Sequence, residues 1–148
     1  DMAHIGHARY LALAKSLGDV LVVGVNTDSS VQRLKGPSRP ILDEMKRAEM
    51  LSYLGAVDYV TFFDEDTGAE TIRILKPSAY LCVEGSWEGD IAAKAEVLAM
   101  TEFEGGVFCA PKQGPTISTS EIITRISLRA VEKLAAELPR LVSDGLKF

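Results

Sequence analysis

His4 and His7 are the only histidines of the chain, and they lie three residues apart near its start. A helix-like run over 8–17 follows them, and two imidazoles three residues apart on a first helical turn share a face. The beginning of a helix carries unpaired backbone N–H groups and the positive pole of the helix dipole, which together favour an anion. Gly6, between the histidines, lets a phosphate chain approach the backbone. The pattern indicates phosphate binding.

Other interpretations of the histidine pair stay open. The pair could be an accidental surface feature, the remnant of a tag, or two ligands of a metal ion. A zinc site needs three or four ligands. Cys82 and Cys109 lend it little support, because each stands by itself in an apolar segment, far from the other in the sequence. We predict that both are reduced thiols in the core of a cytoplasmic protein.

Three hydroxyl residues, Ser118, Thr119 and Ser120, precede the last predicted helix. A single serine or threonine is enough to cap a helix, and capping is the usual role of such residues. Three in a row after a Gly-Pro turn also offer hydroxyls and amides to a pyrophosphate. We therefore expect this helix start and the one at the histidines to hold one triphosphate from two sides.

Positive charges are concentrated in one predicted loop, where Arg33, Lys35 and Arg39 accompany two prolines. Such a loop could close over a substrate, although a solvated surface loop is the more frequent explanation. Arg47, in the following predicted helix, is expected to face the same cleft. For Asp28, at the end of a strand, capping of the next helix is favoured over binding of a hydroxyl or a metal-bound water.

The composition restricts the function further. The chain has 148 residues, which suits one domain, and a net charge of −5. An acidic balance argues against nucleic acid or a membrane surface as partner, so an anionic ligand requires a local cationic site. No apolar stretch reaches the roughly 18 residues of a spanning helix, and no signal peptide is visible.

Strands and helices are predicted to alternate. Strands are expected over 20–25, 57–63, 80–83 and 106–110, the first two as buried strands, and helices over 8–17, 44–54, 69–75, 91–101 and 118–138, the last ended by Pro139. This order predicts an α/β fold, a three-layer sandwich with a doubly wound, Rossmann-like parallel sheet. Ligands of such sheets bind at the carboxyl ends of the strands, so the loops after Val25, Phe63, Val83 and Ala110 are the places to search.

The chain resembles the cytidylyltransferase-like nucleotidyltransferases. The adenylyltransferase domain of bacterial ADP-heptose synthase is the nearest match, and glycerol-3-phosphate cytidylyltransferase comes second. The resemblance runs from Asp1 to about Ile126 and rests on His4-Ile5-Gly6-His7, Gly24-Val25-Asn26-Thr27-Asp28, Lys35-Gly36, Arg39-Pro40, Arg47, Val57-Asp58, Glu65-Asp66-Thr67 and Ser118-Thr119-Ser120.

The resemblance implies transfer of a nucleotidyl group from ATP or CTP to a phosphorylated sugar or polyol, with release of pyrophosphate. An adenylyl group is the favoured nucleotidyl group, and a sugar phosphate such as heptose 1-phosphate is the favoured acceptor. The resemblance also implies catalytic roles for His4, His7 and Lys35. Nucleotide binding would involve Asp1, Met2, Gly6, His7, Arg47, Ser118, Thr119 and Ser120, and acceptor binding Asp28, Arg39, Glu84 and Trp87. Mg²⁺ is expected on the triphosphate rather than in a protein site. No nucleic acid or membrane partner is expected, and a homodimer is possible.

Two departures from the family pattern matter. The family begins with a strand ending in Gly-x-Phe-Asp, of which only Asp1 is present, so we predict one domain over 1–148 that lacks its first strand, with 127–148 as a helical extension. After the third strand the heptose enzymes carry Val-Lys-Gly-Gly-Asp-Tyr, whereas this chain has Val83-Glu84-Gly85-Ser86-Trp87. That difference keeps a glycerol-phosphate-type cytidylyltransferase and an inactive nucleotide-binding module open as alternatives. Trp87 could equally anchor its loop onto the sheet.

Overall fold

Strands and helices alternate along the chain as predicted, and the strands pair in parallel. The computed structural model describes residues 2–84, 94–111 and 118–143. The strands in these residues are β1 (Val22–Asn26), β2 (Tyr59–Phe63), β3 (Ala79–Val83) and β4 (Gly106–Ala110). The helices are α1 (Ile5–Lys15), α2 (Asp28–Lys35), α3 (Glu44–Ser52), α4 (Ala69–Leu75), α5 (Ala95–Thr101) and α6 (Thr119–Ser143). The chain divides into two compact units, Asp1–Thr116 and Ile117–Phe148.

The four strands hydrogen-bond in two parallel pairs. β1 pairs with β2 from Val22 opposite Tyr59 onward, and β3 pairs with β4 from Ala79 opposite Gly106 onward. Within the described residues the two pairs form separate two-stranded sheets. Helices connect the strands of each pair, as parallel strands require. The predicted α/β class with a Rossmann-like layered arrangement is confirmed.

A cavity of about 660 Å³ is lined by residues of β1, β3, α1 and α4. The first strand borders this cavity and is less buried than expected, since its β-branched run predicts that both of its faces are covered. Only Val25 of β1 is buried, whereas Val22 keeps 39% of its surface exposed. The expectation for β2 was also wrong, since none of its residues is buried. In the described part of the chain β1 and β2 pair only with each other, so side chains of a neighbouring strand flank each of them on one side only.

The hydrophobic core of the first unit lies between α4 and α5. Ala69, Ile72, Ala99 and Met100 form its buried cluster, with partly buried aromatic and aliphatic neighbours. Gly105 admits the Met100 side chain, because a Cβ there would lie 2.3 Å from Met100 Cε. This close packing holds β3 and β4 against the two helices.

Helix α2 differs from the prediction, which placed a loop where the structure has Asp28–Lys35 in a helix. Thr27 caps it, since its hydroxyl oxygen accepts from the Ser30 N–H at 3.3 Å. Ser30 itself is fully buried and donates to the Glu65 carbonyl at 2.9 Å. This polar sequence therefore packs as a helix, because the hydroxyl of the buried Ser30 has a hydrogen-bond partner. Of the predicted loop cations, only Arg39 lies outside this helix.

Helix α6, in the second unit, has 25 residues and continues past Pro139, where the sequence predicts its end. A proline inside a helix has no N–H to donate, so one backbone hydrogen bond is lost, and here the helix continues to Ser143 without it. Ser118 supports the beginning of the helix, because its Oγ accepts from the Glu121 N–H at 3.1 Å. None of the helices in the described residues is both long and apolar enough to cross a bilayer.

Candidate active site

The two histidines brace the start of α1. His4 is the N-cap residue in extended conformation, and its Nδ1 accepts from the Gly6 N–H at 3.1 Å. The His4 N–H in turn donates to His7 Nδ1 at 3.2 Å. The exchange is that of a capping box, with imidazoles in place of the usual hydroxyl and carboxylate. The ring centroids lie 4.0 Å apart.

This bracing fixes where each imidazole carries its proton. Because Nδ1 of each ring accepts a hydrogen bond, the proton of the neutral ring is on Nε2. His4 and His7 therefore both offer an Nε2–H donor beyond the turn. The Gly6 N–H is used by His4 Nδ1, and the His7 N–H by the His4 carbonyl at 2.9 Å. The two Nε2–H groups are therefore side-chain donors that this turn offers to an anion.

His7 is neutral at physiological pH. Burial, the neighbouring His4, the charge of the N-terminal amine and, last, the charge of Lys35 lower the pKa of His7 from 6.5 to about 4. Lys35, the last residue of α2, has a lowered pKa as well, caused by partial burial and then by the charges of Arg39 and Arg47. These charge effects place Lys35 in one region with His7, Arg39 and Arg47, in a chain whose net charge is −5. His4 and His7 lie at one helix start, and Lys35 lies within reach of the charges of Arg39 and Arg47, whereas the single cleft that the sequence predicted for these residues stays a prediction.

Arg47 is the buried cation of this region, with 8% of its surface exposed. Its Nη2 lies 2.5 Å from Asp28 Oδ1, and its Nε donates to the Leu42 carbonyl at 3.0 Å. Asp28 is thus engaged by an internal arginine. The capping role predicted for it was wrong, because Thr27 caps α2 and Asp28 is the first residue within the helix.

Glu44 is a residue that the sequence analysis missed. It begins α3, and its Oε2 accepts from the Asp28 N–H at 2.7 Å. Together with the Arg47–Asp28 pair this makes a reciprocal brace between the first turns of α2 and α3. The brace joins the two helices on either side of the segment over 36–43, which contains Arg39. An acidic residue at a helix start three positions before an arginine was the available sequence signal.

The remaining predicted site residues are distributed as follows. Met2 precedes α1, and Glu84 follows β3 as an exposed residue whose N–H donates to the Ala110 carbonyl at 2.8 Å. Ser118 caps α6, and Thr119 and Ser120 begin that helix in the second unit. Asp1 and Trp87 lie outside the described residues. The predicted grip on a triphosphate from two helix starts stays a prediction.

Paired Nε2–H donors near a lysine, on a parallel α/β fold, are groups suited to binding phosphate. A family model described as cytidylyltransferase-like matches residues 1–125. The chain therefore belongs to the cytidylyltransferase-like family, and it is a nucleotidyltransferase, as its sequence predicted.

Several relatives support the assignment. The chain is 45% identical over 130 residues to bifunctional protein HldE of Campylobacter curvus, covering 85% of this chain and 25% of that protein. It is 55% identical over 78 residues to the HldE of Geobacter metallireducens, covering 53% of this chain and 16% of the relative. The matches span about a quarter or less of these relatives. A crystal structure of the lipopolysaccharide core biosynthesis protein from Thermoplasma volcanium superposes with a TM-score of 0.62 at 29% identity, covering 78% of this chain and 91% of that one.

Proposed function

We propose that the chain transfers an adenylyl group from ATP to a sugar phosphate such as heptose 1-phosphate and releases pyrophosphate. The observation that carries this proposal is the pair of imidazoles whose Nδ1 atoms accept backbone hydrogen bonds, leaving two Nε2–H donors beside Lys35. The bifunctional HldE relatives and the lipopolysaccharide core biosynthesis protein support a sugar phosphate as acceptor. We place the reaction in the cytoplasm, where nucleoside triphosphates are made.

In the proposed reaction an oxygen of the acceptor phosphate attacks the α-phosphorus in line. A new P–O bond forms while the bond from the α-phosphorus to the bridging oxygen breaks, and pyrophosphate leaves with the electron pair. A phosphate monoester loses its second proton at about pH 6, so the attacking oxygen needs no general base. This suits histidines whose basic Nδ1 lone pairs are already occupied. Their role is to donate hydrogen bonds where charge develops.

A neutral His7 is better suited to this role than a charged one. A low pKa keeps the ring from taking a proton, so the donor count and geometry stay constant across physiological pH. Lys35 supplies the positive charge instead, and the pKa of Lys35 would rise again beside a phosphate, because the anion offsets Arg39 and Arg47. Charge and hydrogen bonding are thus divided between different side chains.

Mg²⁺ is proposed to arrive with the triphosphate as part of the substrate. In the described ranges no group of three or more His, Cys, Asp or Glu side chains could hold a metal ion. Mg²⁺ on phosphate oxygens needs few protein ligands and keeps several waters, so this donor set is compatible with it. When bound, the ion offsets phosphate charge. Arg47 is proposed to contribute from its buried position, through its charge on Lys35.

The acceptor is proposed to bind near Arg39 and Glu84. Arg39 lies in the segment over 36–43 between α2 and α3. Its guanidinium suits the acceptor's phosphate, because the planar group can donate two parallel hydrogen bonds. Glu84 follows the carboxyl end of β3, the position where ligands of parallel sheets bind, and a carboxylate there suits sugar hydroxyls. Proposed roles for Met2, Gly6 and the Ser118–Ser120 segment in nucleotide binding rest on the family resemblance.

The exposed carboxylate of Glu84 also favours two alternatives. A negative group repels a phosphorylated acceptor, so the chain could bind nucleotide without turnover. Alternatively the acceptor could be a polyol phosphate and the nucleotide CTP, as in the glycerol-3-phosphate enzymes. The first alternative predicts no pyrophosphate from any substrate pair, and the second predicts pyrophosphate from CTP and a polyol phosphate.

The test is pyrophosphate release with ATP or CTP across a panel of phosphorylated sugars and polyols. We expect release with ATP and a sugar phosphate, and a roughly 100- to 1,000-fold lower kcat for His7→Ala, because one donor to the transition state is lost. His7→Gln, which restores an N–H, should recover part of this activity. Arg73→Gln is the control, since Arg73 pairs with Glu70 on α4 and with Glu102, the C-cap residue of α5. Nucleotide binding without release from any pair would contradict the proposal and favour the binding module.

A further inference from the structure

The two cysteines face each other across a pair of parallel strands. Cys82 on β3 and Cys109 on β4 are partners in the strand register, and their Sγ atoms lie 2.9 Å apart. The sequence predicted two reduced core thiols: both are free and Cys82 is buried as predicted, but the prediction was wrong for Cys109, which is exposed. The β3–β4 pairing brings together these residues, which are 27 positions apart. They are the only cysteines of the chain.

The backbone geometry of this pair is compatible with a disulfide. Neighbouring strands lie about 4.7–4.9 Å apart, and disulfides join residues whose Cα atoms are about 4.4–6.8 Å apart. Register partners project from the same face of the sheet, so both sulfurs point to the same side. The β3–β4 ladder continues past the pair, since the Glu84 N–H donates to the Ala110 carbonyl at 2.8 Å. The link can therefore form without moving either strand.

The two thiols differ in environment. Cys109 is exposed, whereas only 3% of the surface of Cys82 is exposed. Burial, together with the hydrogen bond to Cys109, raises the pKa of Cys82 to about 11. A dissolved oxidant reaches Cys109 directly, and the buried thiol stands beside the sulfur that has been oxidised. This division between an accessible and a resolving thiol is that of redox-active cysteine pairs.

We propose that Cys82 and Cys109 form a two-thiol site that hydroperoxides oxidise to an intramolecular disulfide. The Cys109 thiolate attacks the outer oxygen of the hydroperoxide, the O–O bond breaks, and the alcohol leaves after taking a proton. The resulting sulfenic acid is attacked by the Cys82 sulfur. The S–S bond forms as the S–O bond breaks, and the hydroxide leaves as water with the Cys82 proton. Two thiols lose two electrons in total, and the hydroperoxide gains them.

This site is independent of nucleotidyl transfer, and its test needs no activity assay. The chain is treated with hydrogen peroxide, quenched, and its intact mass is measured before and after reduction. We expect a monomer lighter by two hydrogen atoms, with the mass restored by dithiothreitol. Since the chain has two cysteines, this result identifies the Cys82–Cys109 link without further mapping.

Two comparisons make the test specific to the folded pair. Disulfide formation should be at least about tenfold faster in the folded chain than in guanidinium, because folding holds the sulfurs together. Cys82→Ser should stop at a Cys109 product that has gained oxygen, and Cys109→Ser should react far more slowly. The proposal is overturned if the wild-type monomer gains oxygen while Cys82 still titrates as a thiol after denaturation. Disulfide-linked dimers as the only oxidised product would overturn it as well.

Discussion

The Asp28–Arg47 pair gives the sharpest prediction about stability. Replacing Asp28 by Asn removes the negative charge from an arginine that is only 8% exposed, while leaving an oxygen in place. Losing one partner of a fully buried pair costs about 3–5 kcal/mol. The Asp28 side chain is 34% exposed, so water screens part of the loss, and we expect about 2 kcal/mol. At a urea m value of about 2 kcal/mol/M, the midpoint of unfolding should fall by about 1 M.

A double-mutant cycle separates the pairing from other effects of the substitution. Arg47→Met removes the buried charge, and in that background Asp28→Asn should have little further effect. The coupling between the two changes should reach about 1.5 kcal/mol. Lys46→Gln is the matched control on the same helix, because it removes only the exposed contact with Asp43 and should leave the urea midpoint unchanged. Additive effects of the two substitutions, or an Asp28→Asn shift as small as that of Lys46→Gln, would refute this reasoning.

Two further predictions concern the brace and the histidines. Glu44→Ala should lower the free energy of unfolding by about 1.5 kcal/mol, because the Asp28 N–H loses a charged acceptor, and Glu44→Gln should recover more than half of this in urea titrations. The lowered pKa of His7 means that the folded chain binds fewer protons than the unfolded chain between pH 6.5 and about 4. Stability should therefore fall as pH drops through that window. In His7→Gln the slope should flatten, and an unchanged slope would show that His7 is not the group responsible.

Elements with strong local signals were predicted well from the sequence. The bounds of α4 and β4 match the prediction, and α4 ends at Leu75 because the C-cap residue Lys76 is in left-handed conformation just before Pro77. Helix α2 was missed because its polar sequence offers only a short apolar stripe. Its buried Ser30 is satisfied by the Glu65 carbonyl, 35 residues further along the chain, which no local pattern reveals.

The chemistry of the candidate site was predictable in part. Residue types and spacing predicted the histidines at a helix start, where the structure has them, whereas the approach of Arg39 and Arg47 to them stays a prediction. The hydrogen bonds that occupy Nδ1 of His4 and His7 were not foreseen, because the usual capping-box pattern has Ser or Thr followed by Glu or Gln. The contact between Cys82 and Cys109 depends on the register of β3 against β4, which strand prediction does not supply.

The central claim, transfer of a nucleotidyl group at the histidine site, is tested most directly by following a labelled phosphorus. ATP labelled at the α-phosphate is incubated with heptose 1-phosphate, and in parallel ATP labelled at the γ-phosphate. Our account predicts that the α label appears in the sugar nucleotide and the γ label in pyrophosphate, and that both transfers fall together in His7→Ala. Release of the γ label as inorganic phosphate, or label transfer that is unchanged in His7→Ala, would contradict it.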